Sequence, residues 1–381
     1  MNESEKHITV INSSFFFKEF TFSKNNFKDL DDELELADSI VWVDDFFLIY
    51  QIKERNQTQE ESNLKNWFKN KVLGKAVKQI KSTLQYLDKF DKIIVENERG
   101  EKFDLTKANR ENPIKLIIYS PGAKFPEEDR FLKFYTSKVV GKIHLFHKED
   151  YLWICRYLIT PFEIEEYLRF RKNLYEANRN ELDNLPEQYV LGHYLETNED
   201  IELNPSYVDN LKNLEADLES FNISPIVENF NRLILYSTGK SHYYYILKEL
   251  AKLNRSDLRG FKQRYDLALE KAKNQEPDIP YRMTSLYSKC GFVFIPLEFT
   301  KKDKWENAVR NFSTLHKYEQ KLDKVVGMVC YYNPKKKYYD IYWTYINSVW
   351  EFEEDLEKIV KENFPLRSVK MEKTFRYHIK K

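Results

Sequence analysis

The chain has 381 residues, and its 61 basic and 61 acidic side chains give a formal net charge of +0 at pH 7. This balance excludes a general attraction to nucleic acid, so any nucleic-acid-binding surface must be local. Hydrophobic residues make up 42% of the chain, which excludes a disordered protein and favours globular domains. The three cysteines are too few for a disulfide framework and suit a reducing cytoplasm, where we expect the protein to act. The polar N-terminus is unlike a signal peptide, and no apolar run approaches the length of a membrane span.

Two apolar runs near the N-terminus predict a β-hairpin. The runs are residues 39–43 and 46–53. Asp44-Asp45 lies between them and suits a tight turn, because Asp tolerates unusual backbone dihedral angles. Side chains alternate along a strand, so Gln51 and Lys53 share one face of the second strand. Pairing of the runs would bring Asp38 to the same end of the hairpin, so that a carboxylate, an amide oxygen and an ammonium group surround one point.

This pattern resembles that of the PD-(D/E)xK (restriction-endonuclease-like) nuclease superfamily, in which one acid opens a strand and acid-x-Lys lies near the end of the next. Asp38 matches the first acid and Lys53 the lysine. Ala37 replaces the proline and Gln51 the second acid, which makes the chain a Q-x-K variant. Gln offers a carbonyl oxygen to a metal but no charge.

The resemblance implies a nuclease that needs Mg²⁺ or Mn²⁺ and hydrolyses phosphodiester bonds. DNA is the expected substrate, with RNA as the alternative, and the setting would be phage defence, restriction or repair. Asp38 would hold the metal with Gln51 as a neutral ligand, and Lys53 would stabilise developing charge or orient water. Such nucleases often add a Glu from the helix before the first strand. Glu5, Glu19 and Glu35 are candidates; we rank Glu5 first and Glu35 second for the catalytic set.

A helix is predicted after the polar connection that follows Lys53. Apolar residues recur there at helical spacing, namely Leu73, Ala76, Val77, Ile80 and Leu84. The other face carries Lys71, Lys75, Lys78 and Lys81. These lysines are either a solvated helix face or contacts to the phosphates of a nucleic acid. Gln79 resembles the Gln that superfamily members often carry near the site on this helix, so we assign Gln79, Lys71, Lys75 and Lys78 to substrate binding.

The remaining pattern predicts an α/β protein with two domains. Strands are expected at 113–120 and 142–147, followed by a helix with Thr160 as N-cap, Pro161 in its first turn and Glu163 completing a capping box. Residues 1–176 would form the nuclease-like domain, a central mixed sheet flanked by helices. Residues 177–206 would be a linker, and residues 207–381 an α+β accessory domain of unknown function.

Two alternatives to the nuclease hypothesis remain at this point. The neutral Gln51 leaves open a catalytically inactive nuclease-fold subunit that binds DNA or serves in assembly, as a homo-oligomer or with a partner subunit. The hairpin could also be purely structural in a small-molecule enzyme or a scaffold. Binding of DNA without metal-dependent cleavage would favour the first alternative, and absence of DNA affinity at low salt the second.

Overall fold

The structure is a computed structural model, and its description covers most of the chain. The described residues are 2–29, 32–55, 63–109, 111–122, 125–197, 202–213, 220–233, 242–276, 279–362, 365–368 and 370. The chain divides into two compact units, Met1–Glu215 and Ala216–Lys381. No helix among these residues is long and apolar enough to cross a membrane.

The first unit is built on a six-stranded mixed sheet. Its strands, with those of two small ribbons, are β1 (Thr21–Phe22), β2 (Asn26–Asp29), β3 (Asp32–Glu35), β4 (Ser39–Val43), β5 (Phe46–Glu54), β6 (Ile94–Glu96), β7 (Lys102–Asp104), β8 (Ile114–Ser120), β9 (Phe134–Ser137) and β10 (Gly141–His147). The main sheet has the order β1-β4-β5-β8-β10-β9, with β5, β8 and β10 parallel to one another. The pairs β2-β3 and β6-β7 form the separate ribbons. The expected central mixed sheet is therefore confirmed.

The predicted hairpin is confirmed by the pairing of β4 with β5. The strands are antiparallel, with Ser39 opposite Tyr50 and Val43 opposite Phe46. Asp44 takes a positive φ of 56° in the turn, a conformation that Asp tolerates better than most residues. Nearly all of β5 is buried, because its apolar residues pack on both faces of the sheet. This register fixes which side chains meet at the open end of the hairpin.

Helices flank the sheet of the first unit. They are α1 (Glu3–Phe15), α2 (Leu64–Trp67), α3 (Ala76–Lys89), α4 (Glu127–Arg130), α5 (Lys148–Tyr157), α6 (Pro161–Leu182) and α7 (Glu187–Glu196), with 3₁₀ segments at Lys18–Phe20, Leu105–Lys107 and Pro205–Asn213. The predicted lysine-bearing helix exists, but its segment Phe68–Lys75, between α2 and α3, is wound as a π-helix. Val72, Ala76 and Ile80 pack against Ile117 and Ile143 of the sheet. The N-cap hydrogen bond of the expected capping box forms at the start of α6, where Thr160 Oγ1 accepts a hydrogen bond from the Glu163 N–H.

The boundary between the units differs from the expected one. Residues 177–206, expected as a linker, belong to the first unit, because α6 continues to Leu182 and α7 follows. Val190, Leu191 and Tyr194 of α7 are buried. Glu187 forms a buried ion pair with Arg171 of α6, at 2.7 Å. Apolar residues at helical spacing, hidden within a polar stretch, hold α7 in the core.

The second unit contains a four-stranded sheet with helices. Its elements are α8 (Ser224–Leu233), α9 (Tyr243–Ala251), α10 (Arg255–Lys273), β11 (Tyr281–Ser285), β12 (Cys290–Leu297), α11 (Trp305–Glu319), β13 (Lys324–Asn333), β14 (Tyr338–Asn347) and α12 (Glu354–Glu362), with a 3₁₀ segment at Phe299–Lys304. The strand order is β11-β12-β13-β14. Helix α11 connects β12 to β13, which are parallel, and the other two pairs are antiparallel.

Candidate functional site

The open end of the β4-β5 hairpin brings together the three residues of the sequence motif. Asp38 directly precedes β4, while Gln51 and Lys53 lie near the end of β5. The Lys53 ammonium lies 2.8 Å from Asp38 Oδ2 and 3.1 Å from Gln51 Oε1. It also donates to the main-chain carbonyl oxygen of Ile52, at 3.1 Å. Three oxygen atoms from three residues therefore surround one cation, and we call this group the oxygen cradle.

The oxygen cradle is held rigidly by the strand backbone. The Ile52 N–H donates to Asp38 Oδ2 at 2.5 Å, which fixes the carboxylate against β5. Asp38 is 8% exposed and Gln51 is 1% exposed. Water therefore has little access to these oxygens, so their attraction for a cation is stronger than at an open surface. The geometry follows from the register, because Ser39 pairs with Tyr50 and the next residue of each strand end is Asp38 or Gln51.

A cleft of about 600 Å³ opens beside Asp38. Its lining residues are Glu5, Ser23, Lys24, Asn26, Glu33, Glu35, Asp38, Ile94, Val95, Glu96 and Lys102. Both leading candidates for the additional acid, Glu5 and Glu35, thus share a cleft with Asp38. Loss of surrounding water raises the pKa of Glu35, and the negative charges of Asp38 and Glu5 raise it further. This mutual repulsion is expected where carboxylates gather around a site for a cation.

The third candidate acid lies elsewhere. Glu19 is fully buried, and its carboxylate pairs with Arg99 at 2.8 Å. It is absent from the residues that line the cleft beside Asp38. Glu19 therefore has a structural role, whereas Glu5 and Glu35 remain candidates for the site. Glu5 also caps its own helix, because its carboxylate accepts from the Asn2 N–H.

The ligand atoms at the site are of the chemical type that a hard divalent cation prefers. Mg²⁺ and Mn²⁺ prefer carboxylate and carbonyl oxygens, and Asp38, Gln51 and the Ile52 carbonyl supply these. Among the described residues, however, no three His, Cys, Asp or Glu side chains come close enough together to hold a metal by themselves. The ammonium of Lys53 already lies among the same oxygens. A metal would therefore have to displace Lys53 and use the neutral oxygens of Gln51 and Ile52.

Gln79 lies on the helix that packs beside the site. Thr83, one turn later in α3, donates its hydroxyl to the carbonyl oxygen of Leu36, two residues before Asp38. This bond holds the Gln79 turn close to the start of β4. The Gln79 Oε1 atom is buried and has no hydrogen-bond partner among the residues that the structure describes. A buried acceptor without a partner is costly, so this atom is available to a ligand or an ordered water.

The predicted lysine face is exposed, as expected for either of its interpretations. Lys71 and Lys75 lie in the π-helical segment and Lys78 in α3, and all three are exposed. No contact among the described residues joins these lysines to Asp38. They form a basic surface on the helix that follows the motif, outside the oxygen cradle.

The structure adds residues that sequence reasoning missed. Lys24, just before the β2-β3 ribbon, and Lys102, in the β6-β7 ribbon, line the same cleft. The bridge between Lys24 and Glu96 joins these ribbons, and Glu96 lies opposite Lys102. No local pattern marks these lysines, because only the meeting of the ribbons brings them together. The carbonyl oxygen of Ile52 could not be predicted as a ligand either, since every residue has a main-chain carbonyl.

Comparisons of this chain with protein-family models, with curated proteins and with solved structures found no match. The site is therefore defined by its own geometry and by the motif that Asp38, Gln51 and Lys53 form.

Proposed function

We propose that the chain is a metal-dependent nuclease that hydrolyses phosphodiester bonds in DNA, with Asp38, Gln51 and Lys53 at its catalytic centre. The observation that carries the proposal is the oxygen cradle, in which Asp38 Oδ2, Gln51 Oε1 and the Ile52 carbonyl converge on one cation. The surrounding elements also support it. An acid precedes one strand, Q-x-K lies near the end of the antiparallel neighbour, and the next helix packs on the same sheet.

Each residue has a role that its position supports. Asp38 would supply the charged oxygen, and Gln51 and Ile52 would supply neutral oxygens, to a bound Mg²⁺ or Mn²⁺. Glu5 and Glu35 would add charge from the cleft wall. When bound, the metal would supply positive charge beside the scissile phosphate and would acidify a water molecule.

Lys53 has two positions in this proposal. Without metal its ammonium neutralises Asp38. With the oxygens occupied, its flexible four-carbon stem allows the ammonium to move outward, where it can hold the attacking water or the phosphate oxygens. Gln79 offers an amide oxygen that no described residue bonds, so it can orient the same water or a substrate group. Lys71, Lys75 and Lys78 would contact the DNA backbone.

The charge of the cleft indicates that the metal binds before the DNA. Five acidic side chains line the cleft, against two lysines. A phosphodiester would be repelled by this excess of negative charge until a divalent cation offsets it. The order of binding should therefore be metal first, with DNA affinity at the site dependent on the metal.

A second candidate function is a nuclease fold without catalysis, used for DNA binding or assembly. Two observations favour it: the amide at position 51 provides no charge, and the Lys53 ammonium already satisfies Asp38. The oxygen cradle with Lys53 in place can stabilise the hairpin without taking part in catalysis. Metal-independent DNA binding that survives loss of Asp38 would support this alternative.

The test is cleavage of supercoiled plasmid and of single-stranded DNA in Mg²⁺ and in Mn²⁺. Wild type should cleave, and both Asp38→Ala and Lys53→Ala should lose the activity. Asp88→Ala is the matched control, because Asp88 is an exposed carboxylate at the far end of α3 and should retain activity. Cleavage that persists in Asp38→Ala would assign the activity to a contaminant, and failure of wild type to cleave either DNA in either metal would reject the proposal for this chain.

A further inference from the structure

The sheet of the second unit ends in a strand unlike the other sheet edges. Strand β14 has ten residues and pairs with β13 on one side, and no described strand pairs with its other side. The other edges of the two larger sheets are β1, β9 and β11, with two, four and five residues. A long open edge is a template for another strand, and monomeric proteins shorten, charge or cover such edges.

The sequence of β14 carries little of the charge that protects such edges. Its sequence, Tyr-Tyr-Asp-Ile-Tyr-Trp-Thr-Tyr-Ile-Asn, contains one charge, Asp340, and neither proline nor lysine. The two faces of the strand are packed: Trp343 stacks near Phe261 of α10, and Tyr342 stacks on Trp305 of α11 at 4.0 Å. The faces are thus already used within one chain, and the strand edge is the surface that remains for a partner.

We propose that this edge is the interface of a homodimer, in which the β14 strands of two copies pair antiparallel about Thr344. A two-fold axis at an antiparallel pair requires one residue to face its own counterpart. With Thr344 on the axis, Tyr342 faces Ile346 and Trp343 faces Tyr345 of the second copy. Thr–Thr, aromatic–aliphatic and aromatic–aromatic pairs are favourable across strands. The result is one continuous eight-stranded sheet.

The charges at the two ends of β14 select this antiparallel arrangement. Before the strand lies an exposed basic turn, Lys335, Lys336 and Lys337. After it lies an exposed acidic segment, Glu351, Glu353 and Glu354. An antiparallel pairing brings the basic turn of each copy beside the acidic segment of the other. A parallel pairing would bring like charges together, so the second copy of this chain is complementary in one direction only.

Exposed apolar side chains lie at both ends of β14. Val349 is 75% exposed and Phe352 is 64% exposed just after β14, and Tyr338 is 42% exposed at its start. In the antiparallel pairing, Tyr338 of one copy lies near Val349 and Phe352 of the other. Burial of these side chains would add hydrophobic stabilisation to the main-chain hydrogen bonds. Each copy would keep its own Asp38 site, so the proposal stands whether or not the chain is a nuclease.

The experiment is sedimentation of the full chain over a range of concentrations, with charge reversal at either end of β14. We expect wild type to sediment at twice the chain mass of 46.1 kDa. Lys335→Glu/Lys336→Glu and Glu351→Lys/Glu353→Lys should each dissociate at least tenfold more readily, because each makes both ends of the interface alike in charge. An equimolar mixture of the two variants should recover the dimer, since opposite charges then meet again. Lys81→Glu/Lys92→Glu, an equal change at two exposed lysines of the first unit, should remain dimeric.

Amide hydrogen exchange locates the interface independently. The β14 amides should be protected more strongly at high protein concentration than at low concentration, while β11 at the opposite edge is unchanged. A monomer at all concentrations would overturn the proposal. So would a dimer that neither reversal weakens, that the mixture does not restore, or whose concentration-dependent protection lies outside β14.

Discussion

Replacement of Lys53 by methionine separates the two proposed roles of Lys53, which are to neutralise Asp38 without metal and to act on the water or the phosphate during cleavage. Methionine keeps much of the length of the side chain but removes its charge and its donors. Among the described residues, Asp38 then keeps the Ile52 N–H as its one hydrogen-bond partner, and Lys53 no longer offsets the repulsion between Asp38 and Glu35. A hydrogen bond to a charged group contributes about 1.5–3 kcal/mol, and loss of one partner of a buried ion pair costs about 3–5 kcal/mol. Both side chains keep some contact with water, so we expect a loss of about 2 kcal/mol in the free energy of unfolding in EDTA.

The same substitution should improve metal binding, because the metal no longer has to displace an ammonium group. We expect Lys53→Met to bind Mg²⁺ at least tenfold more tightly than wild type, which corresponds to about 1.4 kcal/mol. Saturation with Mg²⁺ at about 100 times its Kd would then return about 2.7 kcal/mol, enough to restore stability. Cleavage should nevertheless be lost, since Lys53 acts on the water or the phosphate.

Isothermal titration calorimetry gives the affinity, and urea unfolding in EDTA and in Mg²⁺ gives the stability. Lys81→Met is the matched control, because Lys81 is an exposed lysine of α3 and its loss should change the free energy of unfolding by less than about 0.5 kcal/mol. Equal Mg²⁺ affinity and equal stability in EDTA of Lys53→Met and wild type would contradict the assigned role of Lys53 in the oxygen cradle.

Two further predictions concern the core of the first unit and the basic helix. Burial alone would raise the pKa of Glu187, but the charges of Arg171 and Lys133 and the hydrogen bonds from Arg171 and Tyr167 together outweigh it and hold this pKa below its usual value. Glu187→Gln should therefore lower the free energy of unfolding by about 3 kcal/mol at pH 7, because the buried Arg171 loses its counter-charge. A carboxylate with a lowered folded-state pKa stabilises the fold above its unfolded-state pKa and loses that effect as the pH falls through the folded-state value. The difference between Glu187→Gln and wild type should therefore shrink in acid. Lys71→Glu/Lys75→Glu/Lys78→Glu should weaken DNA binding and reduce the slope of log affinity against log salt by about one for each phosphate that the variant no longer neutralises.

Each of these has a control. Glu176 is an exposed glutamate of α6 that pairs on the surface with Lys142. Urea unfolding should show that Glu176→Gln has nearly the same free energy of unfolding as wild type at any pH. A pH-independent cost in Glu187→Gln would contradict the ion-pair explanation. Fluorescence anisotropy with labelled DNA measures the lysine variant against Lys302→Glu/Lys304→Glu, and equal loss of affinity in both would show that the basic helix is not the binding surface.

The part of the site that the sequence predicted is the part that local geometry determines. A two-residue turn and strict alternation fix the register of β4 and β5, and the register fixes the meeting of Asp38, Gln51 and Lys53. The hairpin therefore needed no knowledge of the rest of the fold. The apolar stripe around Ile80 likewise predicted which face of the long helix packs on the sheet.

The remainder depends on contacts between distant parts of the chain. The carboxylates Glu5 and Glu35 approach Asp38 from a helix and from a ribbon, and no spacing in the sequence records that meeting. The π-helical winding of Phe68–Lys75 was not predicted, since its residue pattern suits an α-helix equally well. The domain boundary was placed too early because the polar composition around α7 concealed its buried face, which includes Val190 and Tyr194.

The most direct test of the nuclease proposal is single-turnover cleavage of one end-labelled DNA in Mg²⁺, with wild type compared with Asp38→Asn. Asparagine can still accept the Ile52 N–H but has no charge for the metal or for Lys53, so the fold should survive while the chemistry fails. We predict metal-dependent cleavage by wild type and a rate at least a hundredfold lower in Asp38→Asn, with EDTA abolishing both. Equal rates in the two proteins, or no cleavage by wild type at saturating metal, would contradict the assignment of Asp38 to a catalytic site.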